Sequence, residues 1–230
     1  MNTCHGVYRR PNRDLTAVWL GLFLHPRVST AEEESECHLL RDQRPEYTPT
    51  GMPFAYYRKL SAHQKRIYRA SDRVGRIALP AADRTTGLGE LIDALERALA
   101  DGNRGSTERA AQALMNQLTE SLDVTPLRIK VRERRPSWQT GELHGLYEAG
   151  GRGAHRVSVW MRTAQRAQVV KFKTFLRTLL HELCHHLDYE RLQLEESFHT
   201  EGFYKRESSL FRDLVSCAEG VRMEGAGTRG

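Results

Sequence analysis

Apolar positions recur at helical spacing through much of the chain and alternate with charged positions in the middle. From Tyr56 to about Val74, Leu60, Ile67 and Val74 follow a helical pattern, and Ser61 can act as an N-cap. Pro80, Gly87 and Gly89 punctuate the chain before Leu88, Leu91, Ile92, Leu95 and Leu99 line one face of a helix expected over 88–100. A turn at Asp101, Gly102, Asn103 and Gly105 leads to a third helix over about 107–122, with Ala110, Ala111, Leu114, Leu118 and Leu122 inward. The period then changes to two. Leu127, Ile129 and Val131 alternate with Arg128, Lys130 and Arg132, which predicts a half-buried strand after Pro126.

Residues 142–148 form a second expected strand. The glycines at 150, 151 and 153 suggest a hairpin, with 155–163 as the returning strand. A long helix over about 168–192 and a last one over about 202–218 complete the pattern, before a glycine-rich tail expected to be flexible over 221–230. Helices, then strands, then helices argue for an α+β domain with a small antiparallel sheet. The strand at 155–162, taken as an edge, is then a place where an extended peptide can add.

Residues 1–51 carry little periodicity, and Met52 directly precedes the first helical segment. The expected organisation is a poorly ordered extension or early-assigned start over 1–51, a helical part over 52–124 and a core over 125–220. Arg9, Arg10 and Arg13 before the apolar run 15–24, with Ser29 and Ala31 after it, outline a secretory signal. Asp14 against the run and Arg27 near the supposed cleavage point oppose that reading.

Composition narrows the class. Hydrophobic residues are 39% and charged residues 28%, and the net charge is +6. The positive charge is spread along the chain, so it describes a basic surface and permits, without requiring, an anionic partner. The four cysteines, Cys4, Cys37, Cys184 and Cys217, form no CxxC pair, which suits a reducing, cytoplasmic setting. No stretch reaches the roughly 20 apolar residues of a membrane span.

The chemistry gathers in His181-Glu182-Leu183-Cys184-His185, inside the expected long helix. Side chains four apart share a helix face, so both imidazoles reach one ion. Zinc takes neutral imidazole and, in catalytic sites, keeps one position for water. Glu182 then faces that water as general base and later as acid. The competing reading is a surface helix that happens to carry two histidines. The flank Phe175, Leu176, Leu179, Leu180, Leu183 and Leu187 opposes it, because a buried helix needs partners for buried polar groups and a metal supplies them.

A third ligand is required. Arg191 stands where the metzincin pattern needs a histidine, which excludes that class. Glu195, Glu196, Glu201 and Glu207 are candidates of the glutamate type, and His199, opening a new segment after the helix, is better placed.

The string Leu179-Leu180-His181-Glu182-Leu183-Cys184-His185-His186-Leu187-Asp188-Tyr189, followed by His199-x-x-x-Phe203, resembles the SprT-like metallopeptidases, which include the Spartan DNA–protein crosslink proteases. Gly145-Leu146-Tyr147 with Val157-Ser158-Val159 resembles the family's hairpin before the active-site helix. The resemblance spans about 125–215. It implies a zincin-like fold, one zinc per chain, His199 as the third ligand, a protein or peptide substrate, and DNA as a partner. Thr200 stands where the family has glycine, and no cysteine-rich zinc ribbon follows His199 within these 230 residues.

Smaller roles follow from position. Asp188, seven residues after His181, is placed to orient a ligand; a solvent-facing helix acid is its competing reading. His186 points off the metal face and reads as structural or solvent-facing. Tyr189 and Tyr204 are oxyanion candidates, with packing as the alternative. Cys184 reads as helix filler. Arg132, Arg134, Arg135, Trp138, Lys171, Lys173 and Arg177 are either a nucleic-acid contact or a solvated face. The expected activity is zinc-dependent peptide hydrolysis with Glu182 as general base. The alternatives are a non-catalytic zinc-binding module for protein or DNA interaction, and hydrolysis of a non-peptide amide.

Overall fold

The computed structural model describes residues 8–9, 54–80, 87–138, 141–150 and 154–227. Its elements are β1 (Tyr8–Arg9), a short 3-10 helix (Ala55–Lys59), α1 (Ala62–Asp72), α2 (Leu88–Ala100), α3 (Arg104–Ser121), β2 (Leu127–Arg134), β3 (Ser137–Trp138), β4 (Gly141–Glu142), β5 (Gly145–Glu148), β6 (His155–Arg162), α4 (Phe172–Glu190), β7 (Glu196–Ser197) and α5 (Glu201–Gly227). The chain is α+β, as its pattern predicts.

Local signals set the helix starts. Ser61 caps α1 in a reciprocal box with Gln64, so two orphan N–H groups are satisfied at once. The segment before it, from Tyr56, forms a separate 3-10 turn rather than the first turn of one long helix. The Asn103 side chain accepts from Ser106 N–H and starts α3 one turn earlier than the apolar pattern indicates.

The sheet corrects two expectations. Its order is β2-β6-β5, with β5 antiparallel to β6 but β2 parallel to it, so the sheet is mixed and not antiparallel. Alternation reports which face is buried; it carries no information on strand direction. The segment between β2 and β6 holds β3, β4 and β5, long enough for the chain to return and run parallel. The second correction is that 155–162 is the central strand and not an edge. Residues Val157 to Met161 are buried without interruption, as a strand covered on both faces requires.

The edges are therefore β2 and β5. That of β2 is covered by side chains of α3. Gln112 accepts from Ile129 N–H and donates to the Leu127 carbonyl, both at 2.8 Å, and Glu108 accepts from Val131 N–H at 2.9 Å.

The main core joins α2, α3, the sheet, α4 and α5. Every residue of α4 from Leu179 to Tyr189 is buried, so this helix runs through the interior. A second cluster, Tyr56, Ile67, Tyr68, Leu194 and Phe198, ties the N-terminal helical segment to the loop after α4. At the other end of α1, Gly202 meets Asp72 closely. Its N–H donates to Asp72 Oδ1 at 2.9 Å, and a Cβ at 202 would strike the Asp72 carbonyl.

The described structure reaches past the expected core at both ends. Tyr8–Arg9 pair antiparallel with Glu196–Ser197, so part of the N-terminal extension lies against the loop before His199. The signal-like run 15–24 and Cys4 and Cys37 lie outside the described residues, as does the turn over 151–153. At the other end, α5 continues to Gly227, through part of the stretch expected to be a tail.

Candidate metal centre

Burial of α4 forces its polar residues to find partners inside the protein, and the partners define a site. His181 and His185 extend from one face of α4. The chain then leaves the helix, passes β7 and brings His199 back against them. The facing nitrogens are Nε2 in all three rings: His199 Nε2 lies 3.1 Å from His181 Nε2 and 3.1 Å from His185 Nε2. Three ligand atoms so grouped can hold a metal ion. Zinc–imidazole bonds of about 2.0–2.1 Å in a tetrahedral arrangement place ligand nitrogens about 3.3 Å apart, which these separations approximate. Arg191, as expected, is not at the site; its guanidinium bonds the Leu122 carbonyl.

The far sides of the rings are held by the protein. His181 Nδ1 lies 3.1 Å from Glu207 Oε2. An ionised carboxylate only accepts, so His181 carries its proton on Nδ1 and turns the Nε2 lone pair to the centre. His185 Nδ1 lies 2.8 Å from Ser197 Oγ, and Ser197 Oγ donates to Asp188 Oδ2 at 2.6 Å. The His199 carbonyl accepts from the Tyr56 hydroxyl at 2.9 Å, which links the loop to the N-terminal helical segment. Burial, reinforced by His181 and His199, pushes the His185 pKa well below the ordinary imidazole range. A neutral imidazole is the form that a metal takes.

Glu182 sits beside the triad, buried between α4 and the edge strand β5. Burial raises its pKa to about 7, opposed by His181 and by a hydrogen bond from the Tyr147 backbone. A carboxyl with that affinity for a proton is matched to acid–base work near neutrality. The fit is close. A Cβ at Gly145 would collide with Glu182 Oε1 and stand 2.8 Å from Thr178 Cγ2. Residue 145 must therefore lack a side chain for Glu182 to keep its place.

The remaining candidates fall into separate places. Asp188 is fully buried and reaches His185 through Ser197. Tyr204 lies at the site, its ring centroid 5.9 Å from that of His199 and 6.4 Å from that of His181. Tyr189 has its ring in the core, stacked on Tyr147, and its hydroxyl accepts from Ser197 N–H at 3.1 Å. The glutamates considered as ligands are bonded elsewhere: Glu195 to His63, Glu196 to Gln64, Glu201 to Lys205 and Glu207 to His181 and Arg177.

His186 is on the other face and buried, with Nε2–H donating to the Thr125 carbonyl at 2.7 Å and Nδ1 3.1 Å from the Tyr147 hydroxyl. Of the two readings its place on the helix allowed, burial removes the solvent-facing one. Cys184 is buried as well, and burial raises its thiol pKa well above the usual range, so it is no nucleophile.

The basic residues considered for nucleic acid divide. Arg135 is buried against Glu142 at 3.5 Å, Arg177 pairs with Glu207 and lies over the Phe211 ring, and Arg134 donates to the Ala164 carbonyl. Arg132, Lys171, Lys173 and Trp138 are exposed.

Sequence reasoning missed four contributors: Ser197, Arg206, Tyr56 and the orienting role of Glu207. A serine or a buried arginine carries no local signature of such a role. Glu207 had one signal, its presence on the helix after His199, but the sequence does not say whether it reaches the ion or the ring behind it. Among the described residues, no helix is long and apolar enough to cross a membrane. No family model, curated protein or solved structure matches this chain.

Proposed function

We propose that the chain is a zinc-dependent peptidase of the zincin type, holding one zinc through His181, His185 and His199. The observation that carries this reading is the convergence of three imidazole Nε2 atoms beside a buried carboxylate. Three histidines with an adjacent glutamate form the donor set of hydrolytic zinc sites, and neutral nitrogen ligands suit zinc better than magnesium or calcium. Bound there, zinc supplies Lewis acidity that polarises a carbonyl and acidifies water.

The chain's own residues do the rest. Glu207 and Ser197 fix the rings of His181 and His185, and Tyr56 fixes the backbone of His199. Glu182 accepts a proton from the attacking water and returns it to the leaving amine. Tyr204 donates to the oxygen that gains charge as the carbonyl becomes tetrahedral. A peptide is the substrate class favoured by the helix motif and its resemblance to SprT-like peptidases.

The test is metal analysis and peptide turnover on the purified full chain, with His199→Ala and Glu201→Ala alongside. The expected result is about one zinc per chain, retained in Glu201→Ala and weakened in His199→Ala, with turnover lost to a chelator and restored by zinc. A well-folded wild-type protein that takes up no supplied zinc would remove the basis of the reading.

A further inference from the structure

Asp188 and Arg206 are a buried ion pair with both side chains inaccessible to solvent. Burying two charges is costly unless their polar atoms are bonded, and here all of them but Arg206 Nε are. Arg206 Nη2 donates to Asp188 Oδ1 at 2.5 Å and to Ser71 Oγ at 3.0 Å, and Nη1 donates to the carbonyls of Ser71 and Val74. The other carboxylate oxygen, Oδ2, receives Ser197 Oγ at 2.6 Å, and Ser197 Oγ in turn lies 2.8 Å from His185 Nδ1. One chain of hydrogen bonds thus runs from the guanidinium on α5 to the imidazole on α4.

The direction of each bond in that chain is fixed by chemistry. A guanidinium only donates, and an ionised carboxylate, the form that Arg206 favours for Asp188 against its burial, only accepts. The single hydroxyl proton of Ser197 is therefore committed to Asp188. Ser197 Oγ has only lone pairs left for His185, so the proton between them belongs to His185 Nδ1. The lone pair then lies on Nε2, the atom that faces His199. We propose that Arg206, Asp188 and Ser197 act as a polarity relay that sets the tautomer of His185 and so makes its Nε2 a ready metal ligand. These are positioning residues. The inference rests on the metal-site reading above and adds the origin of the ligand's tautomer.

The relay predicts an inversion that simple loss of a contact does not. In Asp188→Asn, the side-chain oxygen turns to the Arg206 donors and the amide NH2 turns to Ser197. Ser197 then accepts from residue 188 and donates to His185 Nδ1, which moves the ring proton to Nε2, facing the metal. In Ser197→Ala the bond is gone, but either tautomer remains open to His185. Asp188→Asn, which keeps every heavy atom in place, should therefore weaken zinc more than Ser197→Ala, which removes one. Outer-shell partners of metal-bound histidine are worth about 10–100-fold in affinity. The expectation is roughly tenfold for Ser197→Ala and about 100-fold for Asp188→Asn, with Ser197→Thr, which keeps the hydroxyl, close to wild type.

The experiment has two readouts on the full chain. Zinc affinity is measured by chelator competition for the wild type and the three variants, with circular dichroism to check folding. Separately, 15N NMR of the zinc-free wild-type protein reads the tautomer of His185 directly, independent of any variant's stability and of any activity. A His185 ring protonated at Nδ1, together with a larger loss for Asp188→Asn than for Ser197→Ala, is the expected result. A wild-type ring protonated at Nε2, or an Asp188→Asn loss no greater than that of Ser197→Ala, would overturn the relay while leaving the metal site intact. Failure of the wild type to bind zinc at all would count against the functional reading instead.

Discussion

His185 and His186 are adjacent on α4, both buried, and the two faces of the helix use them in opposite ways. Burial lowers the basicity of both rings, His185 well below the ordinary range and His186 to about 4. Neither burial nor neutrality separates them. What differs is how many ring nitrogens the protein satisfies. On the back face His186 spends both, one on the Thr125 carbonyl and one on the Tyr147 hydroxyl. On the metal face His185 spends Nδ1 on Ser197 and leaves Nε2 directed at His199. A buried histidine with both nitrogens held by protein is spent on the fold; one with its second nitrogen aimed at other imidazoles is placed so that it can hold an ion. The acids divide as well: Asp188 is spent on Arg206 and Ser197, while Glu182 takes the Tyr147 backbone N–H and interacts with His181.

The largest effect should come from the metal face. Glu182→Gln keeps the shape of the side chain and removes its ability to take a proton. Peptide turnover should fall by about 10²–10⁴-fold, the usual worth of general acid–base catalysis, while zinc content stays at the wild-type level. Initial rates and metal analysis on the same preparation decide the point. Turnover that survives the substitution would show that Glu182 is not the base.

Next comes the buried pair behind that face. Arg206→Met removes the cation and leaves the Asp188 carboxylate uncompensated. Breaking a buried pair in this way costs about 3–5 kcal/mol. Urea denaturation should show it as a lower midpoint with zinc present or absent. An unchanged midpoint would mean that the pair carries no stability, whatever it does for His185.

The two histidines can then be set against each other. His185→Ala should weaken zinc by more than the roughly 10–100-fold that loss of an outer-shell partner causes. His186→Gln should leave zinc affinity unchanged, since its amide can still donate to Thr125 and accept from Tyr147. Equal losses in chelator competition would erase the distinction between the faces.

How far was this legible in the chain? The helices with apolar stripes were: α2 begins and ends where Leu88 to Leu99 imply, and Ser61 caps α1. The His181/His185 pair with Glu182 was legible too, because helical periodicity alone places i and i+4 on one face. His199 could be nominated but not located, since a loop's path depends on what it packs against, here Tyr56, Tyr68 and Phe198. Strand direction was illegible, because Val157, Val159 and Met161 alternate in the same way in either sense. Ser197, Arg206 and Gly145 were illegible for another reason. Their roles come from contacts across 9 to 135 residues of chain, Ser197 to Asp188 and Arg206 to Ser71 at the two extremes, and no local pattern encodes such a contact.

The smallest effect belongs to the back face and carries a pH signature. His186→Ala removes the ring from between the Thr125 carbonyl and the Tyr147 hydroxyl, at a cost of about 1–3 kcal/mol for the groups it leaves without that partner. The titration gives the finer test. An unfolded histidine has a pKa near 6.5, while burial, partly offset by the Thr125 carbonyl, holds folded His186 at about 4. Below about pH 6.5 the unfolded chain therefore binds a proton that the folded chain refuses. The contribution of neutral His186 is complete above that pH and is lost as pH falls toward about 4. His186→Gln keeps the hydrogen bonds and does not titrate. Denaturant unfolding of the zinc-free proteins between pH 7.5 and 4.5 should show the wild type losing stability faster than His186→Gln. Parallel curves would mean that the ring is protonated in the fold, with Nδ1 as a second donor, and that the back face is held by a charge and not by a neutral bridge.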